Sequence, residues 1–314
     1  MSRLADSSTT IDTVGKKQHP VFWFPDGLTI LGLEDHLFRV HTTVLCRHSI
    51  YFSDIFENAS VVGKQRELSA GLDGCNFLDL NSRQVSVVDL VSLLEHLYHD
   101  VSLLSSTDFS RIGSLLRITS KEQLDFPAFH ELARHKLSTL FPEGPVPYFN
   151  CDYSGEALDL ATRYQLEPLF KRLFYTVVTT AQFHEVNDND AHPNGMAETP
   201  IQITISTENG RRCEELMANL INHFTPILFT PPATSHMACT DVFADKWMPL
   251  VIQPALEDDG VYKPLESLER IKLIDWRKEG LCASCVEDKK VEWTEEQETV
   301  WNLIDGWLGL SGKM

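Results

Sequence analysis

The chain has 314 residues, room for one large domain or two ordinary ones, and its 43% hydrophobic and 23% charged residues suit a folded rather than a disordered protein. A net charge of -18 at pH 7 argues against nucleic-acid binding through the fold as a whole, which needs clustered Lys and Arg to neutralise phosphates. No stretch approaches the ~18 apolar residues of a membrane span, and residues 1–18 are Ser/Thr-rich with no apolar segment, so neither a membrane protein nor a secreted one is expected.

The seven cysteines (46, 75, 151, 213, 239, 282 and 285) are an odd set, scattered apart from one Cys-x-x-Cys. Reduced thiols in an intracellular compartment, cytoplasmic or nuclear, account for them most simply.

Residues 1–18 are expected to be a disordered tail, with order beginning at His19-Pro20. Val21-Phe22-Trp23-Phe24 predicts a strand, and Pro25-Asp26-Gly27 a turn. Residues 28–33 predict a second strand, Glu34-Asp35 another turn, and Phe38-Arg39-Val40 a third strand with one buried face. Two short helices follow. The first covers residues 43–47; the second is capped by Ser49 and buries Tyr51, Phe52, Ile55 and Phe56 along one face.

Residues 57–76 contain Gly63, Gly71 and Gly74 and predict a loop, and residues 77–80 a short strand. Asn81 or Ser82 is then expected to cap a helix running to about His99. Val85, Val88, Val91, Leu94 and Leu97 form its apolar stripe, widened by Leu90 and Leu93. Helices over 109–120 and 126–140 complete the first half, and the proline-rich segment 142–147 breaks the chain.

The second half reads as mainly helical. Ser154 is expected to cap a helix carrying Ala157, Leu158, Ala161 and Tyr164. Pro168 suits the first turn of the next, with Leu169, Phe170, Leu173, Phe174 and Val177 on its buried face. Residues 184–200 are polar and predict a mobile loop, 211–228 a helix, and Pro231-Pro232 a break. Thr294 with Gln297 predicts a capping box ahead of Val300, Trp301, Ile304, Trp307 and Leu308.

These residues carry a resemblance. Phe38-Arg39-Val40-His41, Val44-Leu45-Cys46, Ser49-Ile50-Tyr51-Phe52 and Ile55-Phe56, followed by Leu94-Glu95-His96-Leu97-Tyr98, resemble the BTB/POZ domain pattern in order and element context. Phe24-Pro25-Asp26-Gly27, Asp108-Phe109-Ser110 with Leu115-Leu116-Arg117-Ile118, and Cys282-Ala283-Ser284-Cys285 before Trp301 are similar to BTB proteins of mushroom-forming fungi.

The resemblance implies an α+β fold: a small sheet flanked by helices over residues 19–141, a connector at 142–153, and a helical extension over 154–314. It implies a non-catalytic protein-interaction module that forms a homodimer or scaffold, with Val21, Phe22, Trp23 and Phe24 contributing to a two-fold interface. The alternatives are a substrate adaptor whose partner is a cullin of a ubiquitin ligase, a transcriptional regulator and, last, an enzyme without a recognisable motif. The regulator is disfavoured because the paired charge of a co-repressor pocket is incomplete, with Glu34 at the acidic position but Ile50 at the basic one.

Two clusters invite a chemical reading. His41 lacks any accompanying nucleophile or carboxylate pair in a recognisable motif, so a structural histidine is expected. Cys282 and Cys285 have the spacing of a zinc half-site, and His236 with Cys239 supplies the other pair of a Cys3His set. Free thiols, and hence no cofactor, are the expectation there; structural zinc and a redox pair are the alternatives, in that order. The tryptophans at 247, 276, 293, 301 and 307 are expected to be core rather than a binding groove.

Overall fold

The computed structural model describes residues 16–56, 68–70, 74–98, 108–147, 153–180 and 205–310. The expected mobile loop at 184–200, and most of the loop at 57–76, lie outside the described residues. The chain divides into two compact units, residues 1–140 and 141–314.

The first unit is built on a five-stranded sheet in the order β1-β3-β2-β5-β4. The strands are β1 (Lys17–Trp23), β2 (Thr29–Leu33), β3 (His36–Val40), β4 (Leu68–Ala70) and β5 (Asn76–Asp79). β2 and β3 form an antiparallel hairpin closed by Glu34 and Asp35, with Leu33 opposite His36. Glu34 sits at φ 50, a left-handed conformation that β-hairpin turns of this length demand. Its N–H is taken up by Asn81 Oδ1 at 2.8 Å.

β1 runs parallel to β3, pairing Lys17 with His36, so order begins before the expected boundary at residue 19. Lys17 N donates to Asp35 O at 2.7 Å, which anchors that start. β4 pairs antiparallel with β5, and this strand falls inside the segment expected to be loop.

Helices α1 (Thr42–His48), α2 (Ile50–Phe56), α3 (Val87–Leu97), α4 (Phe109–Ile118) and α5 (Pro127–Leu140) complete the unit. Ser49 caps α2 as expected, accepting from Phe52 N at 3.1 Å while its hydroxyl donates to Leu124 O at 2.6 Å.

The helix expected from Asn81 is split. Asn81–Arg83 forms a single 3-10 turn, Gln84 adopts φ 53, and α3 begins after Ser86, whose Oγ accepts from Asp89 N at 3.1 Å. A left-handed Gln84 cannot continue a right-handed helix. The restart also rotates the buried stripe onto Leu90, Leu93, Leu94 and Leu97, leaving Val88 67% exposed.

The second unit is helical: α6 (Ser154–Arg163), α7 (Glu167–Thr180), α8 (Thr207–Phe229), α9 (Met237–Trp247), α10 (Gln253–Glu257), α11 (Pro264–Leu273), α12 (Trp276–Glu279) and α13 (Ala283–Trp307). A π-helical turn, Met248–Ile252, links α9 to α10. Ser154 is the first residue of α6 rather than its cap, because Tyr153 at φ 87 precedes it.

Thr294 is likewise not a cap. α13 runs uninterrupted through it, so its hydroxyl donates back to Lys290 O at 2.8 Å as mid-helix threonines do. Gln297 turns inward and donates to Leu265 O at 2.8 Å, tying α13 to α11.

The proline-rich connector is pinned rather than merely stiff. The buried Arg172 guanidinium on α7 donates to the carbonyls of Pro142 at 2.8 Å, Val146 at 3.0 Å and Gly144. One side chain thereby satisfies three acceptors that an irregular segment cannot pair within itself.

Candidate functional site

The BTB-like motif residues form a frame. Phe38, Leu45, Tyr51, Phe52 and Ile55 are buried, and Val44 and Phe56 are half-buried. They pack α1 and α2 against each other, and Phe52 meets Phe126, just ahead of α5, edge-on at a centroid distance of 6.1 Å.

His41 sits at the N-cap of α1. Its backbone N–H donates to the Tyr98 oxygen at 3.1 Å, and Nδ1 lies 2.9 Å from the same oxygen. Since that oxygen already accepts, the phenol proton goes to Nδ1, and Nε2–H is left to face Asp26 Oδ1 at 3.3 Å. This bond from His41 holds the Asp26 carboxyl below the usual carboxylate range. Burial raises the Tyr98 phenol above its ordinary value. The histidine thus ties the end of β3 to the end of α3, and both ring nitrogens are occupied.

Of the four candidate interface residues, Phe22 is turned into the unit's own core with 1% exposure and is not available to a partner. Phe24 packs against Tyr98 at a centroid distance of 4.6 Å, and Trp23 packs against Ile30, Leu37, Cys75 and Phe77. Val21 is exposed, as is Leu28 just ahead of β2. Glu34 and Ile50 are both exposed.

In the second unit the structure brings together all four residues of the Cys3His set. The ligand atoms of His236, Cys239, Cys282 and Cys285 lie within 4.8 Å of one another. The positions have a common logic. His236 is the N-cap of α9 and Cys239 its third residue; Cys282 is the N-cap of α13 and Cys285 its third residue. Side chains at an N-cap and three residues on converge over a helix start, the geometry a capping box exploits. Two such starts face each other.

His236 Nδ1 is 3.1 Å from Cys282 Sγ and 3.5 Å from Cys285 Sγ, and Cys282 N donates to Cys239 Sγ at 3.5 Å. Cys239 and Cys285 are buried, Cys282 is half-buried, and His236 covers the outer side. The backbone N–H of Cys285, then the His236 ring, lower the Cys282 thiol to about 6. Cys213, a lone thiol inside α8, is instead pushed up to about 12 by burial.

The loop ahead of α9 is held for this purpose. Thr234 Oγ1 donates to His236 O at 2.8 Å, and Thr234 N donates to Thr240 Oγ1 at 2.9 Å. Before α13, Gly280 adopts φ 116 and closes α12, turning the chain so that Cys282 reaches the cluster.

The thiols sit at the rim of an aromatic core. Cys239 and Cys285 belong to the same buried cluster as Phe243, Trp247, Trp276 and Trp293. Phe243 meets Trp276 edge-on at 4.8 Å, and Trp247 stacks on Trp276 at 6.0 Å. Trp247 Nε1 donates to Leu228 O at 2.8 Å and Trp276 Nε1 to Ile271 O at 2.9 Å. Trp301 is also buried and Trp307 is half-buried, so these indoles build core rather than a groove.

Sequence reading missed several polar pairs because their partners are remote. Asp89, 5% exposed, receives Arg117 at 3.0 and 3.2 Å. Tyr175 donates to Glu266 at 2.5 Å, and burial raises the carboxyl of Glu266 above its usual range.

The small sheet with its surrounding helices and the buried motif define the first unit as a BTB/POZ domain, and residues 28–138 match that family. The BTB/POZ domain is a protein–protein interaction module. No curated protein matches the chain. No helix among the described residues is long and apolar enough to cross a membrane.

Proposed function

We propose that this protein is a non-catalytic scaffold that self-associates through its BTB/POZ domain and presents the helical second unit to a protein partner. The match over residues 28–138 carries this reading. It is supported by the exposed edge strand β1, which bears Val21 at 61% exposure, and by Leu28 at 64% on the segment that follows it. An edge strand with exposed apolar side chains offers the self-complementary patch a two-fold dimer needs.

Light scattering of the full chain at micromolar concentration is expected to give twice the 35.6 kDa monomer mass. Val21→Asp combined with Leu28→Asp is expected to return it to monomer. A monomer at all concentrations of the unmodified chain overturns the dimer. The substrate-adaptor alternative predicts a cullin among proteins recovered with the tagged chain from its native cell.

A further inference from the structure

We propose that His236, Cys239, Cys282 and Cys285 form a closed four-ligand zinc site that clamps the start of α9 to the start of α13. Zinc favours four nitrogen and sulfur ligands in a tetrahedron, with Zn–S near ~2.3 Å and Zn–N near ~2.0 Å. Those bond lengths place neighbouring donors about 3.5–3.8 Å apart. The His236 Nδ1 separations of 3.1 and 3.5 Å, and the 4.8 Å limit over all four atoms, bracket that spacing.

Other features agree. Each half-site has two residues between its ligands, and the halves lie 43 positions apart, measured from Cys239 to Cys282. A clip across so long a loop removes much of the freedom of the unfolded chain. Both half-sites lie on helix starts, so the four donors are carried by two short stretches of backbone that face each other. The Cys282 N–H already points at Cys239 sulfur. As the three Zn–S bonds form, any proton still on a cysteine sulfur passes to solvent, and His236 binds through the Nδ1 lone pair. With four protein ligands the metal has no open position for substrate, so its role is structural.

The site is independent of the BTB-mediated association, and either can fail without the other. The test uses the full chain expressed with zinc and purified without chelator. Elemental analysis is expected to give one zinc per chain, retained on gel filtration in the presence of a micromolar-affinity zinc indicator. Cobalt exchanged into the site is expected to show tetrahedral ligand-field bands and thiolate-to-metal charge transfer. Stripping zinc with a strong chelator is expected to lower Tm by more than about 10 °C.

His236→Cys is expected to keep one zinc, and Cys46→Ser to leave it unchanged. Cys282→Ser with Cys285→Ser is expected to abolish binding. If that double variant does not fold, the cobalt spectrum of the unmodified chain still decides. Metal-free protein, zinc lost to the indicator, or a Cys282–Cys285 disulfide in the isolated chain overturns the proposal.

Discussion

Each unit of this protein starts a helix on a histidine, and in neither does the imidazole cap the helix. His41 is enclosed by a phenol and a carboxylate, Tyr98 and Asp26, which use both of its ring nitrogens as hydrogen-bonding groups. His236 faces the sulfurs of Cys282 and Cys285 and contributes a single nitrogen to a cluster of soft donors. The residue type and local position are shared; the neighbours decide the chemistry. Oxygen partners make His41 a structural strut, whereas the converging thiols give His236 the surroundings of the proposed metal ligand.

The same contrast separates the two units in how they reach stability. The BTB unit rests on a sheet with buried aliphatic and phenylalanine side chains, and adds local polar braces such as Ser49 and His41. The helical unit concentrates bulky indoles around Trp276 and places its thiol cluster at their rim.

The largest expected effect that sharpens this contrast is Trp276→Ala. It opens a cavity among Phe243, Trp247 and Trp293 and removes the bond to Ile271 O, costing about 3–5 kcal/mol in urea unfolding. A cost under about 1 kcal/mol breaks the claim that the indoles carry this unit.

Next is Arg117→Met in the BTB unit. It strands Asp89 in a buried site, and because Arg117 is itself 27% exposed the expected loss is about 2–3 kcal/mol, below that of a fully buried pair. Adding Asp89→Leu is expected to restore part of the loss in a double-mutant cycle, since the stranded charge is then gone. Strict additivity contradicts the pairing.

The smallest is His41→Ala, expected to cost about 1 kcal/mol through lost hydrogen bonds to Tyr98 and Asp26. Zinc content is expected to stay unchanged in this variant. A fall in metal content on removing His41 contradicts the division of roles between the two histidines.

The BTB unit was largely legible in the sequence because its motif residues are local and their burial follows from strand and helix periods. Ser49 could be placed as a cap from its position alone. The break at Gln84 was not legible, since a left-handed glutamine carries no glycine or proline signal, and its stabilising bond comes from Gln123 in the same unit. Thr294 and Gln297 have a capping-box spacing, yet α13 passes through them because Val286, Trp293 and Val300 bury one continuous face.

The Cys3His set was visible in the sequence as a candidate set of two half-sites, but spacing alone could not say that the two meet. Spacing reports what a single helix start can present; only the packing of α9 against the chain before α13 brings two starts together. For that reason free thiols were the expectation at these positions; the convergence of the four ligand atoms within 4.8 Å is what the zinc proposal rests on. The four candidate interface residues divide by burial, with Val21 exposed and Phe22 in the core. An apolar run such as Val21-Phe22-Trp23-Phe24 reads the same whether it faces a partner or its own sheet, and Phe22 faces its own core.

The most direct measurement is X-ray absorption at the zinc edge of the full chain in solution. The account predicts three sulfur neighbours at about 2.3 Å and one nitrogen at about 2.0–2.1 Å. A shell of nitrogen and oxygen alone, or no zinc edge above the buffer, would contradict it.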